Sequence, residues 1–256
     1  MLNDQVERAV TDEPIIEPTR RPGDPTVPGA VALVPAPFAY HRAARHLKGI
    51  AEGVRDRRVE FFHLCSLADA VEPWSLAGPA LGAPAAVLAL EKLTVLGAER
   101  ILVLGPCGSL ADEAPIGTVI VATEAVSEEG TSRLYGAEPD RPLAVAAPLL
   151  RGLETALAAS GIHYLCGPVW TTDAPYRETR RKVQRYQAEG ALAVEMELSA
   201  CLAAGAFRGV SVAGLFVVSD ELFALQWVKG FDNPAYVAAF QRVIEALPAL
   251  LRSLAG

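Results

Sequence analysis

Cysteine and histidine are scarce in this sequence, and neither occurs in the spacing of a common metal site. The four cysteines are widely separated and form no Cys-x-x-Cys pair, and the four histidines form no His-Glu-x-x-His pattern. Structural zinc sites and disulfide frameworks depend on such closely spaced or paired side chains. We therefore expect free cysteine thiols in a reducing cytoplasm, no metal, and no other bound cofactor.

Long apolar runs and an excess of basic residues are also missing. No run approaches the roughly 20 apolar residues that span a bilayer, and the first residues lack the basic start and apolar stretch of a signal peptide. The net charge of −7 is opposite in sign to the basic surfaces of nucleic-acid-binding domains. We expect a cytoplasmic protein without membrane or nucleic-acid partners. An anionic small substrate is still compatible with this charge, because a pocket can be locally positive on an acidic protein.

Several motifs of nucleotide-binding and hydrolytic enzymes are absent as well. The chain has neither the Gly-x-Gly-x-x-Gly of dinucleotide-binding domains nor the Gly-x-x-x-x-Gly-Lys-Ser/Thr phosphate loop. It also lacks the Gly-x-Ser-x-Gly turn that exposes a nucleophilic serine. The sequence therefore gives no support to dinucleotide binding, nucleoside-triphosphate binding or serine hydrolysis.

The first 29 residues differ in composition from the rest of the chain. They contain five prolines with charged residues between them. Proline fixes φ and lacks the amide hydrogen that helices and central strands need. We predict an extended N-terminal arm over residues 1–29 and one domain over residues 30–256, a length that favours a single large core.

Short apolar segments alternate with helical patterns from residue 30 onward. Segments rich in Val, Leu and Ile predict strands at residues 31–34, 59–64, 101–104, 118–122, 164–169 and 210–218. Apolar residues at helical spacing predict helices at residues 39–53, 83–96, 145–159, 176–189, 196–207 and 236–254. This alternation is typical of an α/β fold in which helices cover both faces of a sheet. Ligands then bind in a crevice at the carboxyl ends of the strands.

Asp220 is the first candidate for chemistry. It follows the apolar run at residues 212–218, at the carboxyl end of a predicted central strand. A partly desolvated carboxyl group has a raised pKa and can donate a proton. The alternative is a structural role, because Ser219 or Asp220 can also cap a following helix.

Glu195, Met196 and Glu197 form the second candidate. They follow a short apolar stretch and open a predicted helix. A carboxylate can accept hydrogen bonds from both hydroxyls of a ribose, and a thioether offers the sugar an apolar surface. Acidic residues also favour the first turn of a helix for purely electrostatic reasons, so the pattern leaves both interpretations open.

Two further segments follow predicted strands. In the first, at residues 105–110, a glycine-rich turn lets backbone amides approach an anion. Its candidate residues are Gly105, Cys107, Gly108 and Ser109. The second, at residues 170–178, can form a pocket for a base by stacking and hydrogen bonding. Its candidate residues are Trp170, Thr171, Thr172, Tyr176 and Arg177. A structural turn and a capped loop are the respective alternatives.

Taken in this order, the four segments resemble the nucleoside phosphorylase family, which includes uridine phosphorylase, the hexameric purine nucleoside phosphorylases and the methylthioadenosine nucleosidases. The likeness covers about residues 31–222. It is most specific in residues 193–197 (Ala-Val-Glu-Met-Glu), 218–220 (Val-Ser-Asp) and 105–109 (Gly-Pro-Cys-Gly-Ser). The segments at residues 128–132 and 170–178 are similar to the uridine-phosphorylase-like branch.

The resemblance implies a three-layer α/β/α fold around a mixed, barrel-like sheet. It also implies that Glu197 holds the ribose 2′- and 3′-hydroxyls, that Met196 packs against the sugar, and that Asp220 protonates a departing purine. Active sites of this family lie near a subunit interface, so the resemblance implies a homodimer or a homohexamer.

The phosphate-binding part departs from the family pattern. The arginine that usually stands two residues before the glycine-rich segment is Val103 here, and the usual serine or threonine is Pro106, which has neither hydroxyl nor amide hydrogen. The early Gly-Asp-Pro loop is replaced by residues 35–38 (Pro-Ala-Pro-Phe). Arg42, or an arginine of another subunit, is the candidate replacement for the missing cation.

The sequence therefore predicts an enzyme that cleaves the N-glycosidic bond of a nucleoside. Phosphorolysis to free base and pentose 1-phosphate, with phosphate as co-substrate, is the first hypothesis. A hydrolytic nucleosidase and a non-catalytic nucleoside-binding or storage protein of the same fold are the alternatives. The base stays open, because Asp220 indicates a purine whereas residues 170–178 are similar to the uridine branch.

Overall fold

The computed structural model describes residues 14–27, 29–67, 74–138 and 141–254. Within these residues, eleven strands form one sheet. The strands are β1 (Gly29–Leu33), β2 (Arg55–Val59), β3 (Phe62–Leu67), β4 (Trp74–Gly78), β5 (Ala98–Ser109), β6 (Val119–Ser127), β7 (Leu143–Ala144), β8 (Tyr164–Thr171), β9 (Ala193–Glu195), β10 (Ser211–Glu221) and β11 (Val228–Lys229). The helices are α1 (Pro37–Ile50), α2 (Ala83–Leu96), α3 (Ala147–Ala159), α4 (Arg180–Ala188), α5 (Leu198–Arg208), α6 (Pro234–Glu245) and α7 (Leu247–Ser253).

The sheet is mixed, and part of it closes on itself. Its strands follow the order β11-β10-β6-β8-β9-β5-β1-β4-β3-β2, with β7 beside β6. β10 is antiparallel to β6 and also pairs in parallel with β5. This second pairing closes β5, β10, β6, β8 and β9 into a ring, which agrees with the barrel-like sheet that the resemblance implies.

Burial explains why β5 and β10 hold the centre of the sheet. Most of their residues are buried, on both faces. Strands covered on both faces consist of continuous apolar runs rather than alternating ones. Helices cover the sheet in contacting pairs: α2 packs against α5, α3 against α7, and α1 against α6. None of the helices in the described residues is long and apolar enough to cross a membrane.

The strand predicted at residues 59–64 is a hairpin in the structure. β2 ends at Val59, Glu60 adopts a positive φ of 38°, and β3 begins at Phe62. The prediction also lacks the buried strand β4. Its five residues include a serine and a glycine and no β-branched side chain, so its pattern is not typical of a strand.

The helix predicted at residues 236–254 is divided in two. α6 ends at Glu245 and α7 begins at Leu247, with Pro248 in its first turn. Proline has no N–H for the preceding turn and its ring crowds that turn, so a continuous helix is excluded here. The four cysteines are free, as expected.

The described part of the predicted N-terminal arm, residues 14–27, contains no helix or strand and is attached to the domain. Lys92 on α2 is 2% exposed, and its ammonium group donates hydrogen bonds to the carbonyl of Thr19 and to Asp24, both at 2.7 Å. A buried ammonium group needs such paired charge and hydrogen bonds, so this contact holds the segment in place. Residues 1–13 and 28 lie outside the described residues, and β1 begins at Gly29.

Candidate active site

A cavity of about 470 Å³ opens where the carboxyl ends of several strands meet. The ends of β5, β9 and β10 supply much of its wall, and the segments that follow β1, β4, β8, β10 and β11 supply the rest. The cavity therefore lies where the strand topology predicts the ligand crevice.

The structure brings part of the predicted site together. The predicted residues on the cavity wall are Gly105, Cys107, Gly108, Tyr176, Glu195, Met196, Glu197 and Asp220. The predicted residues that do not line it are Arg42, Ser109, Trp170, Thr171, Thr172 and Arg177. The acidic and sugar-facing candidates thus share one cavity, whereas most of the proposed base pocket lies elsewhere.

Glu195 is held by the chain itself. Its Oε2 accepts hydrogen bonds from the backbone N–H groups of Glu197 and Leu198, both at 2.8 Å. Its Oε1 accepts one from the hydroxyl of Thr171. The first N–H groups of a helix have no partner within that helix, so Glu195 caps α5 and fixes the backbone at Glu197. Much of its acceptor capacity is already used within the chain.

Glu197 keeps more of its carboxylate for a ligand. Its Oε1 accepts a hydrogen bond from the backbone N–H of Gly82 at 2.6 Å. Gly82 precedes α2 with a φ of 84°, a conformation that favours glycine. The bond fixes the carboxylate between the starts of α2 and α5. Because a carboxylate has about four acceptor positions, Glu197 can still accept hydrogen bonds inside the cavity.

Burial of these two neighbouring carboxyl groups raises both pKa values. Desolvation is the largest cause for each, and the charge of Glu195 raises the pKa of Glu197 further. The hydrogen bonds from Thr171 and from the start of α5 favour the ionised form of Glu195. Hydroxyl donors from a ligand would favour the ionised form of Glu197 in the same way.

Asp220 lies where a β-bulge, between Val218 and Asp220, interrupts the pairing of β10 with β5. Bulges redirect side chains and are common next to active sites. The Oδ1 atom of Asp220 accepts a hydrogen bond from the Ser219 hydroxyl at 2.7 Å, and the Oδ2 atom accepts one from the indole N–H of Trp227 at 2.8 Å. Burial raises the pKa of Asp220 against the effect of these two bonds. An oriented carboxyl group with a raised pKa suits a proton donor.

Glu178 is a further carboxyl group on the cavity wall that the sequence prediction leaves out of the site. Burial is the main cause that raises its pKa to about 8; the charges of Asp220 and Glu128 add to the effect, and Lys182 opposes it. Glu178 and Asp220 therefore share one end of the cavity. An acidic residue in a loop that follows a strand end at the crevice is the signal that points to it.

Replacing Glu178 by glutamine is expected to raise stability at high pH. The carboxyl group has a folded-state pKa of about 8 against an ordinary value of 4.5, so between these values the folded state holds a proton that the unfolded state has lost. Its contribution to stability is full below about pH 4.5 and is lost as the pH rises through 8. Glutamine does not titrate.

Urea unfolding at pH 5, 7 and 9 measures this effect. From pH 5 to pH 8 the free energy of unfolding of the variant should rise relative to that of the wild type, by on the order of 1–3 kcal/mol once solvent screening is included. Above pH 8 the difference should stay constant. A difference independent of pH would show that Glu178 titrates normally.

Trp170, Thr171 and Thr172 lie behind the cavity wall, which corrects the predicted base pocket. Trp170 is fully buried and stacks on Tyr186 with ring centroids 4.2 Å apart. Successive side chains of a strand point to opposite faces, and at the end of β8 Trp170 points into a second, small core. Thr171 acts indirectly, through its hydrogen bond to Glu195. Thr172 is buried, and its hydroxyl oxygen accepts from the backbone of the following loop.

The turn Pro175–Arg177 separates Tyr176 from Arg177. Tyr176 lines the cavity with 92% of its surface exposed, whereas Arg177 is exposed and does not line the cavity. Tyr176 is therefore the one residue of the predicted base pocket that lies at the cavity in the described structure.

A family model described as the phosphorylase superfamily matches residues 30–254. The chain belongs to the phosphorylase superfamily. Guanosine phosphorylase of Halorubrum lacusprofundi is 31% identical over 153 residues, which are 60% of this chain and 63% of that relative. The DeoD-type purine nucleoside phosphorylase of Bacillus cereus is 30% identical over 150 residues, which are 58% of this chain and 64% of the relative. The alignment thus spans less than two thirds of each relative.

The fold of this superfamily member is shared with solved structures. Uridine phosphorylase from Vibrio fischeri has a TM-score of 0.74 at 24% identity, and purine nucleoside phosphorylase from Toxoplasma gondii, in complex with immucillin-H, has 0.76 at 21%. Each comparison covers 90% of this chain and 92% of the other. At these identities the likeness is one of fold. It confirms the predicted three-layer α/β/α architecture with a mixed, barrel-like sheet.

In this phosphorylase superfamily member the glycine-rich segment is part of a strand, which corrects the predicted turn. β5 continues to Ser109, and its pairing with β10 runs from Arg100 to Ser109. Backbone groups in a parallel ladder bond to the neighbouring strand. On the opposite edge of β5 the pairing with β1 ends at Val103 and the pairing with β9 begins at Gly108, so the short stretch between them has no strand partner among the described residues. Ser109 is fully buried, and its hydroxyl donates to the carbonyl of Ala111 at 2.8 Å. Gly105, Cys107 and Gly108 line the cavity wall.

The charged residues on the cavity wall are all acidic. They are Glu178, Glu195, Glu197 and Asp220. No lysine or arginine of the described residues joins them on the wall. In the same part of the chain, no group of three or more His, Cys, Asp or Glu side chains is arranged to hold a metal ion. The wall therefore suits hydrogen-bond donors, and an anion needs a cation from outside it.

Arg42 lies close behind this wall. It is one helical turn after Phe38, which lines the cavity from α1. Its guanidinium lies 5.7 Å from the centre of the Tyr236 ring and 4.0 Å from Asp232. Its Nη1 is buried and has no hydrogen-bond partner among the described residues. Arg42 therefore remains available as a proposed anion ligand, although it does not line the cavity.

Aromatic residues that the sequence patterns do not identify complete the wall. Phe38 and Phe231 meet edge to face with centroids 5.5 Å apart, and Trp227 lies on the wall beside Asp220. Trp227 and Phe231 are aromatic residues in loops, outside any apolar periodicity, and this is the signal that could have found them. Phe38 lies in the first turn of α1.

Proposed function

We propose that this chain cleaves the N-glycosidic bond of a purine nucleoside by phosphorolysis, giving free base and pentose 1-phosphate. The observation that carries the proposal is that Glu197, at the start of α5, and Asp220, on β10, line one cavity. The relatives named guanosine phosphorylase and purine nucleoside phosphorylase, at 31% and 30% identity, support both the reaction and a purine base.

The ribose end of the reaction depends on Glu197. Its carboxylate accepts hydrogen bonds from the 2′- and 3′-hydroxyls, and its bond from Gly82 holds it in place. Met196 offers the sugar an apolar surface on the same wall. As the glycosidic bond lengthens, the sugar gains positive charge, and the nearby carboxylates stabilise that charge.

The base end depends on Asp220. The departing purine takes the electron pair of the glycosidic bond, and a proton from Asp220 prevents it from leaving as an anion. The Trp227 indole holds the carboxyl group in position. A phosphate oxygen then forms the new bond to the sugar carbon.

Arg42→Ala is expected to raise the KM for phosphate about 10-fold or more, because a charge-assisted hydrogen bond contributes roughly 1.5–3 kcal/mol. The KM for the nucleoside should change little. Arg45→Ala, an exposed arginine on the same helix, is the matched control. Initial rates at varied phosphate measure the effect. An unchanged KM for phosphate in Arg42→Ala would show that a residue other than Arg42 binds the phosphate.

A homo-oligomer is part of the proposal. Four large apolar residues on the cavity wall are exposed: Phe38, Leu81, Tyr176 and Trp227. Clustered exposed apolar side chains mark interaction surfaces, and a second copy of the chain at the cavity mouth would cover them. Light scattering on the purified protein should give a dimer or a hexamer. A monomer at micromolar concentration would contradict this part of the proposal.

Free base released from a panel of nucleosides, with and without phosphate, tests the reaction. Phosphate-dependent release from purine nucleosides is the expected result. Equal release of base with and without phosphate would show that the reaction is hydrolysis and not phosphorolysis. Binding of nucleosides without any release would leave a binding protein instead of an enzyme.

A further inference from the structure

Glu129 is a buried carboxyl group that the proposed reaction steps do not use. It lies in the loop after β6, is 2% exposed, and does not line the cavity. Its Oε1 accepts hydrogen bonds from the hydroxyls of Ser127 at 2.9 Å and Ser199 at 3.0 Å. Its Oε2 accepts from the backbone N–H groups of Thr131 and Ser132. All of these partners are donors, so both oxygens act as acceptors, as they do in an ionised carboxylate.

The bond from Ser199 connects Glu129 to the start of α5. Ser199 is the second residue of this helix, where a backbone N–H has no partner within the helix. That N–H donates instead to the hydroxyl oxygen of Thr171 at 3.1 Å, and the Thr171 hydroxyl donates to Glu195. Glu195 in turn accepts the backbone N–H of Glu197 at 2.8 Å. A continuous chain of buried hydrogen bonds therefore leads from Glu129 to the backbone of Glu197.

The members of this chain have little freedom to rearrange. Ser199 and Thr171 are both fully buried, and each hydroxyl gives its single hydrogen to a carboxylate. Buried polar networks in which every member has a partner specify one arrangement. A shift of Ser199 would therefore move the start of α5, which carries Glu197 on the cavity wall.

We propose that Glu129 is a positioning residue for the reaction at Glu197. It holds the start of α5 through the Ser199 hydroxyl, and with it the backbone that orients the Glu197 carboxylate towards the sugar. This inference rests on the proposed function and adds a residue that acts without contact to the substrate. Misplacement of groups at a reacting centre by about 1 Å can cost roughly 100-fold in rate.

The charge of Glu129 provides a signature that a purely structural residue lacks. Burial is the main cause that raises the pKa of Glu195, and the charge of Glu129 adds to it. The other titratable groups that face Glu195 are Glu197 at the start of α5, Cys107 on β5 and Cys201 on α5. Burial raises the pKa of both thiols well above the ordinary value, so they stay neutral. Because the two neighbouring carboxyl groups titrate as a pair, loss of the Glu129 charge should let them ionise at lower pH.

The test measures kcat and KM for the preferred purine nucleoside, and the pH dependence of kcat/KM, in Glu129→Gln. Glutamine keeps an acceptor for both serine hydroxyls but carries no charge. The value of kcat should fall about 10- to 100-fold. The acid limb of the kcat/KM profile should shift to lower pH by about 0.5–1 unit.

Ser199→Ala separates the hydrogen bond from the charge, and it keeps the test decisive if Glu129→Gln does not fold. Its kcat should fall without a shift of the acid limb, because Glu129 keeps its charge. Its preference for a ribonucleoside over the 2′-deoxynucleoside should shrink, because Glu197 is held less firmly. The double variant should lose no more than Glu129→Gln alone, since both changes break the same link.

Glu91→Gln is the matched control. Glu91 is a buried carboxyl group on α2 that accepts hydrogen bonds from Tyr135 and Arg208, outside this chain of bonds, so kcat and the acid limb should keep their wild-type values. An unshifted acid limb in Glu129→Gln, or a wild-type sugar preference in Ser199→Ala, overturns the inference and leaves the enzyme a nucleoside phosphorylase. Additive losses in the double variant also overturn it. A wild type that releases no base from any nucleoside overturns the proposed function and this inference together.

Discussion

Glu197→Ala is expected to lower kcat/KM for the preferred nucleoside by about 10²- to 10⁴-fold, since two charge-assisted hydrogen bonds contribute roughly 3–6 kcal/mol together. Glu197 lines the cavity with its carboxylate anchored on Gly82. Alanine removes the acceptor for both ribose hydroxyls and part of the negative charge that faces the sugar as it becomes positive. The loss should therefore appear in kcat as well as in KM.

Removal of a single hydroxyl separates this role from a structural one. In the wild type, a 2′-deoxynucleoside lacks one of the two hydrogen bonds and should react more slowly than the ribonucleoside. In Glu197→Ala the two substrates should react alike, because neither bond can form. Glu197→Gln, which keeps an acceptor for the N–H of Gly82, guards against a folding defect. If Glu197→Ala discriminates between the two sugars as strongly as the wild type does, Glu197 does not bind the ribose hydroxyls.

Asp220→Asn should lower kcat by about 10²- to 10⁴-fold, the usual range for loss of a general acid, with little change in KM. The asparagine carbonyl can still accept the indole hydrogen bond that Trp227 gives to Asp220. It cannot deliver a proton to the departing base. The wall keeps its shape while the chemical step loses its acid.

A substrate with a better leaving group isolates that lost proton. 7-Methylguanosine carries a positive charge on its base, so the base leaves neutral without protonation. Asp220→Asn should process it at close to the wild-type rate. Glu221→Gln is the matched control, because the Glu221 carboxylate accepts a hydrogen bond from Ile116 and does not line the cavity. Equal loss on guanosine and 7-methylguanosine would show that Asp220 is not the proton donor.

The acidic part of the site could be predicted because it follows from chain topology. Asp220 ends a long apolar strand and Glu195 ends a short one, and strand ends of an α/β sheet meet at one crevice. The pattern could not assign separate roles to Glu195 and Glu197. Only the hydrogen bonds reveal that Glu195 caps α5 while Glu197 faces the cavity more freely.

The base pocket could not be placed from sequence because the decisive facts are local geometry. Whether Trp170 or Thr171 points to the cavity depends on the pleat of β8, and both are buried behind the wall. Likewise, the segment beginning at Gly105 has the composition of a turn, but the neighbouring strand β10 extends it as part of the sheet. Glu178 falls within the helix predicted at residues 176–189, but α4 begins at Arg180 and Glu178 lies in the loop before it. Its place on the cavity wall therefore appears only in the folded chain.

The acidic wall of the cavity opposes the binding of phosphate. Glu178, Glu195, Glu197 and Asp220 give a cavity that favours a sugar with positive charge and a base rich in N–H groups. The same charges repel a phosphate anion unless Arg42 or a second copy of the chain supplies a cation. The proposed oligomer and the proposed role of Arg42 therefore address the same requirement.

Phosphorus NMR of the wild-type protein with guanosine and inorganic phosphate tests the central claim most directly. We expect one equivalent of pentose 1-phosphate to appear for every equivalent of guanine released, with a matching loss of inorganic phosphate. Guanine released together with free ribose, with the phosphate signal unchanged, would contradict it.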